Sequence, residues 1–96
     1  MAWIFEIKDK SGRKIHLSRE RWSHIVTEHS QLADKIEDIK DNLTNPLTTR
    51  RSVYDEDVVF YYKFYKRLKK YLLVSVKYLN GEGYVITTFY TSKLSK

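Results

Sequence analysis

The chain has 96 residues, no cysteine and a formal net charge of +6. That length allows one domain, 1–96, with one core, and the lack of cysteine excludes disulfides and thiolate metal sites. No apolar run approaches the roughly 20 residues of a membrane span, and Met1 to Ile7 is too short for a signal-peptide core, so a cytoplasmic location is the expectation.

Trp3 to Lys8 alternates apolar and polar residues, which predicts a strand. Asp9-Lys10-Ser11-Gly12 predicts a turn, and Lys14 to Leu17 a second strand, giving an N-terminal hairpin. Ser18 is a good helix N-cap, and a first helix is expected from about Arg19 to about His29. Leu32, Ile36, Ile39 and Leu43 then form the stripe of a second helix, stopped by Asn42 to Pro46. Everything after Pro46 reads as strand: Leu47 to Tyr54, Val58 to Lys66, Tyr71 to Leu79 and Tyr84 to Thr91. The turn Asn80-Gly81-Glu82-Gly83 joins the last two as a hairpin. The order ββααββββ predicts an α+β fold, with two helices packed on one face of a four-stranded antiparallel sheet.

The other sheet face would then be open, and strand parity selects its residues. Leu72, Val74, Val76 and Tyr78 read as the core set of their strand, leaving Leu73, Ser75, Lys77 and Leu79 outside. In the preceding strand a lysine should avoid the core, so Lys63 is expected on the open face with Tyr61 and Tyr65. In the last strand neither set is plainly apolar, and parity does not decide. The acids are concentrated in the first half of the chain, so the second half is strongly positive. Basic and aromatic groups interleaved on a sheet suit single-stranded nucleic acid: cations neutralise phosphates and rings stack bases. A merely solvated face has the same composition.

The first helix carries two histidines. At about 100° per residue they lie about 140° apart, which is wrong for a zinc-binding pair one turn apart. His24 falls beside Glu20 and Glu28 and reads as a surface residue. His29 falls with Trp22, Ile25 and Val26, towards the core side. No serine-nucleophile motif and no glycine-rich phosphate loop is present. The remaining chemistry is acid–base: a histidine, a cation and a hydroxyl suffice to cleave RNA without a metal, because the 2′-hydroxyl is the nucleophile. His29, Lys63, Arg50, Arg51 and the Thr87–Thr88 pair carry those groups, and no cofactor is called for. A core-edge histidine satisfied by a backbone carbonyl is the plainer reading of His29.

Glu20-Arg21-Trp22-Ser23-His24-Ile25 with His29, Tyr61-Tyr62-Lys63, Tyr71 to Lys77, and Val85-Ile86-Thr87-Thr88-Phe89 together resemble the barnase/EndoU/colicin/RelE-like (BECR-fold) nuclease group, its phage-associated branch in particular. The resemblance runs from about Lys14 to about Thr91. It implies a small metal-independent endoribonuclease, of the kind that serves as a toxin or as an effector of a phage or mobile element, working on the open side of the sheet. Its catalytic residues would be His29, Lys63 and Thr87, with Thr87 on the same face as Lys63. Arg50 or Arg51, Tyr61, Tyr65, Lys77 and Tyr90 would bind substrate. RNA would be the ligand, and an acidic antitoxin or immunity protein a possible partner. The chain departs from the pattern at Ser30-Gln31, where a proline and an acid usually follow the histidine, and at Thr88, where alanine is common. The alternative is a non-catalytic nucleic-acid- or partner-binding module. An exposed final strand would also allow an edge-to-edge homodimer. The catalytic reading requires His29, Lys63 and Thr87 to converge on one small anion.

Overall fold

The computed structural model describes residues 3–94. The hairpin forms as expected from β1 (Trp3–Lys8) and β2 (Lys14–Ser18). Asp9 holds its turn: Oδ1 accepts from the backbone N–H groups of Ser11 and Arg13 and from the Ser11 hydroxyl. Ser18 then caps α1 (Arg19–Glu28) by accepting from the Arg21 N–H at 3.0 Å. His29 is the residue at which α1 ends, and its N–H still reaches the Ile25 carbonyl.

The second helix is shorter than its apolar stripe. Leu32 lies in a separate 3₁₀ turn (Ser30–Leu32), and α2 runs over Ile36–Thr44. The stripe still faces one way, because Leu32, Ile39 and Leu43 are all fully buried. Asn42 belongs inside α2 rather than to its stop signal. It is fully buried, and its Nδ2 donates to the carbonyls of Tyr61 and Leu72, pinning the helix to the sheet.

The remaining strands are β3 (Thr48–Arg51), β4 (Val58–Tyr65), β5 (Lys70–Leu79) and β6 (Glu82–Thr91). The β5–β6 link closes over Asn80 and Gly81, both at positive φ, as a tight two-residue hairpin requires. The fold is α+β, but the expected four-stranded antiparallel sheet is corrected. All six strands join one mixed sheet in the order β1-β2-β6-β5-β4-β3. The N-terminal hairpin enters it through a parallel β2–β6 pair, Ile15 against Gly83 and His16 against Tyr84. Parallel partners distant in sequence leave no periodic signal, so local patterning cannot reveal them. The final strand thus lies between β2 and β5 in the order, with β1 and β3 at the ends, but β2 pairs only with its first residues, Gly83 and Tyr84.

Both helices lie on one face, where Phe5, Ile15, Leu17, Ile25, Leu32, Ile39, Leu43, Leu72, Val74 and Val76 form the core. Gly83 is required there: a Cβ would come within 2.8 Å of Val76 Cγ1 and 2.9 Å of Tyr78 Cε1.

Candidate nucleic-acid interface

The β4–β5 and β5–β6 registers decide which side chains share the face without helices. Ser75 pairs with Phe60 on one side and Thr87 on the other; Leu73 pairs with Tyr62 and Phe89. Cross-strand partners point the same way. These residues, with Thr91, Lys93 and Leu94, line one shallow groove of about 360 Å³. The groove is aromatic, rimmed by hydroxyls and by the Lys93 ammonium.

In β5 the expected faces hold: Leu72, Val74, Val76 and Tyr78 face the core, and Ser75 and Lys77 the other side. In β4 they are reversed. Tyr61 pairs with Val74 in the core, and its hydroxyl lies 2.5 Å from that of Tyr78. Tyr65 packs against the same core, and Lys63 pairs with Leu72. Lys63 is thus corrected to the helix-covered face. Its stem crosses apolar surface and its ammonium leaves it at the end of α2, 3.2 Å from Asp41 Oδ2 and 2.9 Å from the Asn45 carbonyl. There it supplies the cation that the last turn of α2 lacks. Both faces of β4 are equally aromatic, so only the partner strand distinguishes them.

β6 resists parity for a structural reason. Ser75 pairs with Thr87 but Val76 with Val85, so Ile86 is an inserted bulge residue. Val85 before the bulge and Thr88 after it both face the core. Thr88 is fully buried and donates to the Leu73 carbonyl at 2.7 Å. Thr87 faces the groove. Thr87 and Lys63 are therefore on opposite faces, and the expected convergence of His29, Lys63 and Thr87 does not occur.

His29, at the end of α1, is not among the residues that line the groove, but it neighbours one of them. Its ring centroid is 5.8 Å from that of Phe89, a groove residue, which sets the imidazole at the β6 side. His24 is exposed and 3.7 Å from Glu28. Arg50 pairs with Phe60 and faces the groove side; Arg51 pairs with Val59 and lines a different hollow with Arg13 and Tyr78. Lys77 is ion-paired with Asp55. Tyr65 and Tyr90 meet on the helix-covered face at the far end of the sheet.

His16 also faces away from the helices. Its ring lies between Trp3, at 4.4 Å, and Tyr84, at 5.1 Å. Nε2 is 2.5 Å from Glu82 Oε1, and Nδ1 is 3.1 Å from Glu6 Oε2, off the line of a hydrogen bond. With a carboxylate at each nitrogen it joins β1, β2 and β6 and has no face left for a reacting group. Lys93 and Phe60 were not legible as site residues, since neither parity nor motif marked them. Among the described residues, no helix is long and apolar enough to cross a membrane. The chain matches no protein-family model, no curated protein and no solved structure.

Proposed function

We propose that the chain binds single-stranded RNA across its helix-free sheet face and, with Lys93 in place of the Lys63 that the three-residue site required but the sheet holds on its other face, cleaves it there without a metal. The observation that carries the reading is the 5.8 Å approach of the His29 ring to that of Phe89, one of the residues that line the groove together with Thr87 and Lys93. Phe60 and Phe89 offer surfaces for base stacking, and Lys93 and Arg50 offer charge to phosphates. The resemblance to the phage-associated nuclease group supports the reaction class. The 2′-oxygen attacks the adjacent phosphorus, and the 5′-oxygen leaves. His29 accepts the 2′-hydroxyl proton; a proton returned to the 5′-oxygen completes the step and leaves a 2′,3′-cyclic phosphate. Thr87 orients the phosphate and Lys93 takes the cationic role first expected of Lys63. An acidic antitoxin or immunity partner would meet the same face.

The binding-only module is favoured by one observation: the expected cation, Lys63, is held by Asp41 on the other face. One experiment separates the two. End-labelled RNA is incubated in EDTA with wild type, His29→Ala and Lys63→Ala. Cyclic-phosphate ends that fall about 100-fold or more in His29→Ala, but persist in Lys63→Ala, support cleavage. Salt-dependent binding without cleavage leaves the module, and neither binding nor cleavage overturns both.

A further inference from the structure

A second cavity, of about 290 Å³, lies on the helix-covered face, where α2 begins and the β4–β5 turn closes over the end of the sheet. Its walls are the rings of Tyr65 and Tyr90 and the side chain of Leu68. Lys66 and Arg67 come from the turn and Lys35 from the residue preceding α2. Lys35 has a neighbour in Asp34, at 3.5 Å, whereas no ion pair engages Lys66 or Arg67 among the described residues. The turn continues into Lys69 and β5 opens on Lys70, so four of the five residues 66 to 70 are cationic. Asp38 is the one carboxylate in the wall.

Two features point to a ligand that is more than a bare anion. The Tyr65 hydroxyl is buried without a hydrogen-bond partner. Burial, then the charges of Asp38 and Asp41, push its pKa up to about 12, so it remains a donor at neutral pH; no bond of ordinary geometry links it to Asp38. Asp38 opposes a naked phosphate but accepts from neutral O–H or N–H groups. Cations at the turn, a carboxylate acceptor in the wall and two phenol rings match phosphate, sugar hydroxyls and base in turn.

We infer that this cavity is a binding site for a ribonucleoside monophosphate, with the phosphate on Lys66 and Arg67, ribose hydroxyls on Asp38 and the base against Tyr65 and Tyr90. The unit is either a free mononucleotide or one nucleotide of an RNA chain. The site lies on the opposite face from the groove, so it stands or falls separately from RNA binding there.

The test is calorimetric and NMR titration of the full chain with AMP, deoxy-AMP and inorganic phosphate. Wild type should bind AMP more tightly than deoxy-AMP or phosphate, with shifts at Tyr65, Leu68 and Tyr90. Lys66→Ala/Arg67→Ala, two exposed turn positions, should weaken AMP at least tenfold with its spectrum otherwise native. Lys10→Ala, an exposed cation on the N-terminal hairpin turn outside both sites, should leave AMP binding unchanged. No AMP binding, phosphate binding as tight as AMP, or unchanged affinity in the double variant would overturn the assignment. Displacement of bound AMP by a short RNA identifies the chain-borne nucleotide as the ligand; simultaneous binding identifies the free one, and both outcomes uphold the site.

Discussion

Lys63 and Thr87 occupy opposite faces of one sheet: Lys63 pairs with core-facing Leu72, and Thr87 with Ser75 on the side free of helices. No side-chain rotation brings the two to one phosphate, because the sheet itself separates them. Any chemistry at Thr87 must draw its cation from elsewhere, and Lys93 lines the same groove.

Lys63→Ala should therefore act on stability rather than on RNA. It removes a cation from the C-terminal end of α2, where it meets Asp41 and the Asn45 carbonyl. A loss of about 0.5–1 kcal/mol is expected for such a partly exposed contact, read by urea unfolding, with RNA affinity unchanged. A large loss of RNA affinity with native stability would return Lys63 to the site.

Asn42→Ala should be far more costly. It strips the Tyr61 and Leu72 carbonyls of a buried donor at once. The expected loss is about 2–4 kcal/mol, lowering the melting temperature by roughly 10 °C or more in a domain this size. Thermal unfolding followed by circular dichroism checks it; a shift of only a degree or two would mean that α2 is not pinned through this side chain.

Gly83→Ala tests the parallel junction. The added methyl meets Val76 and Tyr78 beside the β2–β6 pair. Strain of about 1–3 kcal/mol is expected, with early loss of amide-exchange protection at Ile15 and His16. Uniform loss across the sheet would place the strain elsewhere.

Asp9 should shape the acid limb of stability. Burial raises its pKa, but hydrogen bonds from Ser11 and Tyr78 and the Arg13 N–H and charge outweigh this and hold it below the ordinary carboxylate value. The folded state thus binds the proton less readily than the unfolded chain. The stabilisation is complete above the free-aspartate value, about pH 4, and disappears as pH falls through the lower folded value. Asp9→Asn should be less stable than wild type at pH 7 and converge on it in acid. Parallel pH–stability curves would contradict the assignment.

Arg50→Ala and Phe89→Ala should each weaken single-stranded RNA. The arginine variant should reduce the salt dependence, and the phenylalanine variant should leave it unchanged, because one removes a charge and the other a stacking surface. Filter binding at several salt concentrations distinguishes them.

The amino-acid sequence by itself determined the hairpin, the capped first helix, the α2 stripe, the four later strands and the core face of β5. Each is written in local periodicity and turn chemistry, which act over a few residues. His24 was legible as a surface group for the same reason. Three matters were decided only by tertiary structure. The parallel β2–β6 pair joins segments nearly 70 residues apart and leaves no repeat along the chain. The orientation of β4 was ambiguous because both its faces are aromatic and because a lysine stem can lie on a core edge while its ammonium finds Asp41. The bulge at Ile86 exchanges the two faces of β6 midway, so no single alternation describes that strand. A site built from strand side chains depends on all three, since one inserted residue carries every later side chain to the other face.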